Sequence, residues 1–109
     1  MRIVDFLTLL GGTNQQIIVQ YEYGANRHGK RTGIVDKVQF INLSTLEIVD
    51  AKQPQIYLTA ADTAKPKHLW ELILLLKQHN LQRFMYVRYG AYLHPLFGYR
   101  IGDNKLLLA

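Results

Sequence analysis

Cysteine is absent from the chain, which removes both disulfides and thiolate metal sites and leaves packing as the source of stability. Acidic side chains are scarce, with 8 Asp and Glu against 13 Lys and Arg for a formal net charge of +5. Long apolar runs are missing as well. The longest, Leu72 to Leu76, falls far short of the ~20 residues that cross a bilayer, so no membrane span is expected. The apolar stretch from Ile3 to Leu10 is broken by Asp5 and Thr8 and is followed by no small-residue cleavage site, which argues against a secretory signal and for a cytoplasmic protein. There are no internal repeats, low-complexity tracts or linkers.

What is present suits one folded unit. At 109 residues, 49% hydrophobic and 19% charged, the chain can bury a single core, whereas two cores would each approach the lower limit of autonomous folding. The basic excess is uneven: residues 1–50 balance 5 basic against 5 acidic side chains, and residues 51–109 carry 8 against 3. Such an asymmetry favours anionic partners through long-range attraction.

Periodicity places the elements. Ile3, Phe6, Leu7 and Leu10 share a helical face that ends at Gly11-Gly12, predicting an amphipathic helix over 2–10. Residues 16–23 alternate, with Ile17, Val19, Tyr21 and Tyr23 on one side of a strand. Residues 34–43 read as its hairpin partner, followed by turn chemistry at Asn42, Ser44 and Thr45, a third strand over 46–49, a break at Pro54 and a fourth strand over 56–59. A second helix is expected over about 65–79, with Leu69, Leu72, Ile73 and Leu76 on one face. Residues 83–89 alternate again, setting Phe84, Tyr86 and Arg88 against Met85, Val87 and Tyr89. Residues 90–95 look irregular, and residues 97–108 form a closing hairpin around a three-residue connection, Gly102-Asp103-Asn104. The expectation is an α+β fold: a mainly antiparallel sheet of five to seven strands packed by two helices.

Three features invite function. Gly24-Ala25-Asn26-Arg27-His28-Gly29-Lys30 has the spacing of a phosphate-binding loop, but Arg31 replaces the hydroxyl that ligates magnesium, and a β-rich segment follows in place of a helix. Nucleotide chemistry is therefore not expected, and the loop is read as a partner contact carrying Arg27, His28, Lys30 and Arg31. The second feature is the interleaving of basic and aromatic side chains from Arg83 to Tyr89, continued by Tyr92, His94, Tyr99 and Arg100. Arg83, Tyr86, Arg88 and Arg100 are its candidate nucleic-acid contacts, since rings can stack unpaired bases while arginines hold phosphates; the structural alternative is cross-strand packing. Third, the second helix carries Trp70, Leu74 and Leu75 beyond the face that one small sheet covers, which points to a homo-oligomer interface.

Catalytic chemistry finds little support. His28, His68, His79 and His94 lack the i, i+4 spacing of a helical zinc pair, and none stands in a carboxylate pattern. No catalytic residue, metal or cofactor is assigned. The composite expectation is a non-enzymatic binding module, a homo-oligomeric accessory or inhibitory protein contacting a larger partner through the basic loop. The alternatives are a nucleic-acid-binding protein using the loop with the Arg/Tyr strand face, and a small enzyme built on a histidine pair such as His28 with His94.

Overall fold

The computed structural model describes residues 1–24, 38–49 and 55–109. The basic loop with Arg27, His28, Lys30 and Arg31, the first part of the second predicted strand, and Pro54 lie outside the described residues. The fold is α+β. An eight-stranded mixed sheet is packed by two helices, α1 (Ile3–Leu9) and α2 (Leu69–Lys77). Its strands are β1 (Ile18–Tyr23), β2 (Gln39–Val49), β3 (Gln55–Ala60), β4 (Lys67–His68), β5 (Phe84–Tyr89), β6 (Tyr92–Pro95), β7 (Tyr99–Gly102) and β8 (Lys105–Leu108). They run in the order β6-β5-β3-β2-β1-β8-β7, with the short β4 beside β1.

Most pairs are antiparallel, but β3–β5 and β1–β8 are parallel. The first of these follows from α2, because a helix inserted between two strands supplies the crossover that parallel pairing requires.

One face of the sheet makes the core. Val19, Tyr21, Ile41, Leu43, Ile56, Leu58, Met85 and Val87 meet Ile3, Phe6 and Leu10 around α1 and Leu69, Leu72 and Leu76 of α2. The predicted helical faces are thus the buried ones. The sheet is strongly curled. If it were flat, β1 and β5, with two strands between them, would stand about 14 Å apart. Yet the Tyr23 ring lies 4.9 Å from Tyr89 of β5 and 5.3 Å from Tyr92 of β6, centroid to centroid. The link from Leu96 to Gly98 joins the two edge strands, bonding to Met85 on one side and Ala109 on the other.

Neither helix has a side-chain oxygen on its N-cap to satisfy the first-turn amides, and the backbone does so instead. The N–H groups of Ile3 and Val4 donate to the carbonyls of Arg83 and Leu81, and those of Leu69 and Trp70 to Ile17 and Gln15. The second of these arrangements corrects the predicted start of α2. Lys67 and His68 pair with Val19 and Ile18 of β1, which holds them extended and delays the helix to Leu69.

At that start, Glu71 Oε1 lies 3.0 Å from His68 Nδ1 and accepts the His68 backbone N–H at 3.2 Å. Hydrogen bonding by the His68 side chain, then by its backbone, holds the Glu71 carboxyl below its usual value of 4.5. A depressed carboxylate stabilises the fold above its unfolded pKa and loses that contribution as pH falls through the folded value. Melting temperatures of Glu71→Gln should therefore lie below those of the parent at neutral pH, and the difference should close as pH falls through the lowered Glu71 value.

Three further expectations are corrected. Asn42, Ser44 and Thr45 do not turn the chain; β2 runs through them, with a register shift between Leu43 and Thr45. Asn42 accepts from Gln20 Nε2 at 2.8 Å and donates to the Ala64 carbonyl, while Ser44 Oγ donates to the Thr59 carbonyl. Their polar groups serve a bulge rather than a turn. Residues 92–95 are a strand, paired to β5 across a two-residue Gly90-Ala91 turn in which Gly90 takes φ 58. The last hairpin turns on two residues, Asp103 (φ 51) and Asn104 (φ 58), since Gly102 pairs with Lys105. Positive φ at both central positions is the turn whose twist matches the flanking strands.

Candidate functional site

The sheet face turned away from the helices is open around β3, β5 and β6. Alternation decides its membership: with Met85 and Val87 facing the core, Phe84, Tyr86 and Arg88 face outward. Parallel register sets Phe84 beside Gln55, Tyr86 beside Tyr57 and Arg88 beside Thr59. Antiparallel register on the other side adds Leu93 next to Arg88. Phe84 and Leu93 are 49% and 48% exposed, toward opposite ends of this face.

The aromatic and basic groups are arranged as a unit. The rings of Tyr57 and Tyr86 lie 5.6 Å apart at 45°, and the Arg88 guanidinium sits 5.6 Å from the Tyr57 ring centroid. Tyr57 Oη donates to Gln55 Oε1 at 3.1 Å, which orients the ring. At the other end of β5, half-buried Arg83 reaches back to the Gln55 carbonyl through Nη1 at 3.4 Å, and its Nε has no hydrogen-bond partner among the described residues. One guanidinium, that of Arg88, therefore lies on the aromatic floor, and that of Arg83 is partly buried beyond its end.

Of the four residues expected to act together, Tyr86 and Arg88 share this face; Arg83 stands just before β5, in step with the core-facing Met85 and Val87, and Arg100 is remote from it. It lies on β7, at the far edge of the sheet order. There its Nε donates to Glu22 Oε1 at 2.8 Å, and its side chain crosses Gly102 so closely that a Cβ there would meet Nη1 at 2.9 Å. The pair borders a separate open cleft of about 400 Å³ with Phe97, Gly98, Tyr99 and Ala109. Tyr92, His94 and Tyr99 also leave the face, because their strands turn them inward. Tyr92 packs on Tyr23, His94 on Tyr92 and Phe97, and Tyr99 edge-on to Phe6.

Tyr57 is the member that the sequence reading missed. Its alternation within β3 is visible in the chain, but nothing local pairs β3 with β5.

On α2, Trp70 and Leu74 lie one helical turn apart and are 40% and 55% exposed, while Leu75 is half-buried. The His68 ring stacks on Trp70 at 17° and 6.3 Å. The histidines do not assemble a centre among the described residues. His68 caps α2, His79 follows its end, and His94 is buried among rings. His28 lies outside the described residues, as do Asp36 and Asp50. Among the described residues no group of three or more His, Asp or Glu side chains could hold a metal ion, and no helix is long and apolar enough to cross a membrane. Comparison of the chain with protein-family models, curated proteins and solved structures finds no match, so the open face has to be read from its own chemistry.

Proposed function

We propose that this chain is a non-enzymatic binding module that takes nucleic acid on the open sheet face formed by β3, β5 and β6. The observation that carries this reading is the pairing of Tyr57 and Tyr86 on adjacent strands with Arg88 over the Tyr57 ring and Arg83 at the other end of β5. Guanidinium groups neutralise phosphates and release their counterions, and the net charge of +5 adds long-range attraction. In this reading the basic loop between β1 and β2, with Arg27, His28, Lys30 and Arg31, supplies further cationic contacts. The protein-partner reading of the same loop predicts affinity that nuclease treatment leaves intact.

Fluorescence anisotropy with labelled oligonucleotides tests the proposal. Each phosphate contact should contribute a slope of about −0.7 in a plot of log affinity against log salt for single strands. Arg83 and Arg88 together then account for about −1.4. Binding that is absent at low salt, or that shows no salt dependence, would overturn the reading.

The exposed pair on α2 favours a second property of the same module, self-association. Trp70 and Leu74 offer a compact apolar patch that a second copy can cover, with Leu75 at its margin. Sedimentation at micromolar concentration should return twice the 12.6 kDa chain mass for the parent and the chain mass for Leu74→Glu. A parent that sediments at the chain mass would remove this property and leave the open face untouched.

A further inference from the structure

We infer that the open face selects single-stranded nucleic acid, stacking successive bases on Tyr57 and Tyr86 with a third position at Phe84. This rests on the nucleic-acid reading above and goes beyond it, because phosphate contacts alone would serve duplex and single strand alike.

Three observations point to unpaired bases. The rings of Tyr57 and Tyr86 belong to the outward side of the sheet and come from adjacent parallel strands in matched register, so they form a floor rather than a core. In a duplex the base faces are already stacked on one another, and an aromatic floor has nothing to receive. Phe84 extends the floor by one outward position along β5, and its ring is the most exposed of the three. Next, the Arg88 guanidinium lies 5.6 Å from the Tyr57 ring centroid, where a cation can neutralise a phosphate of a strand laid on the floor.

The same geometry sets the path and length of the strand. Arg88 lies near one end of β5, and the four residues of extended chain back to Phe84 span about 13 Å. The floor runs from Tyr57 on β3 to Tyr86 on β5 and then along β5 to Phe84. A platform of two or three rings gives a short site, on the order of four nucleotides, at the low end of single-strand binding folds.

The test uses the full chain with oligothymidylates of graded length and with a duplex of defined sequence as competitor, read by anisotropy at two salt concentrations. Affinity should rise with length to a plateau near four nucleotides, and the duplex should compete poorly. Tyr57→Leu and Tyr86→Leu should each weaken binding roughly 10-fold and leave the salt slope unchanged, since neither variant removes a charge. Tyr86→Phe should keep parental affinity, because the ring is what stacks. Should either leucine variant fail to fold, irradiation of the parent with a bromodeoxyuridine oligonucleotide supplies the readout, with adducts expected on Tyr57 or Tyr86.

Parental affinity in folded leucine variants, adducts confined to other residues, or equal competition by duplex would overturn the inference. If those results accompany salt-dependent binding that needs Arg83 and Arg88, the broader nucleic-acid reading stands without it. If the parent binds no oligonucleotide at low salt, both fall.

Discussion

Phe6→Ala is expected to destabilise the fold by about 3–5 kcal/mol, the range for removing a large aromatic side chain from a packed core. Phe6 is 1% exposed, and its ring meets Tyr99 of β7 edge-on at 5.8 Å. Tyr99 in turn donates from Oη to the Leu9 carbonyl at 2.9 Å, so a single aromatic contact ties α1 to the edge of the sheet. Deleting the ring leaves a void between elements fixed by backbone bonds on other sides, where collapse is hindered. A domain of this size has a total stability of about 5–15 kcal/mol, so the loss takes a large fraction of it. Urea titration followed by far-UV circular dichroism measures the change. A loss below about 1 kcal/mol would mean that the core repacks freely around α1.

Replacing both Arg83 and Arg88 by alanine should have the largest effect on binding. At about 1 kcal/mol for each lost contact, affinity for an oligonucleotide falls on the order of 30-fold at low salt. The salt slope should flatten by about 1.4 in the same experiment. The two positions carry different structural risk. Arg83 is half-buried and bonded to the Gln55 carbonyl, whereas Arg88 lies across the outward face. Arg88→Ala alone, with its thermal melt recorded beside its affinity, separates lost binding from lost folding. A double variant that retains both affinity and slope would place nucleic-acid contact elsewhere on the molecule.

How far the chain could be read in advance depended on the range of the forces involved. Period-two alternation in β1 and β5 and the apolar stripes of α1 and α2 arise from burial of one face. The buried residues Val19, Tyr21, Met85, Val87, Leu69, Leu72 and Leu76 follow that pattern closely. Boundaries set by distant backbone partners were not legible. Lys67 and His68 look like the first turn of a helix until β1 claims them, and Asn42 looks like a turn residue until Gln20 and Ala64 bond its amide.

The candidate face was legible to the same extent. Tyr86 and Arg88 could be grouped because one strand carries them, whereas Arg83, just before that strand, falls in step with Met85 and Val87. Arg100 was wrongly joined to that pair and Tyr57 omitted, since strand order in a mixed sheet is a long-range property with little local signal. Tyr92 and Tyr99 show the related limit, that composition alone does not say which side of a strand a ring takes.

The parallel pairing of β1 with β8 has a consequence for the order in which the molecule can be made. β1 sits near the middle of the sheet, yet one of its two long partners is β8, which lies almost the whole length of the chain away. During synthesis at about 5–20 residues per second, the first hairpin emerges seconds before β8 does. In that interval one side of β1 offers its ladder groups unpaired, with Val19 and Tyr21 beside them. Contacts so distant in sequence close slowly, because the intervening loop loses its entropy before the pairing returns anything. The nascent chain therefore depends on a late event to hide its central strand, and its vulnerability to aggregation is greatest before β8 arrives.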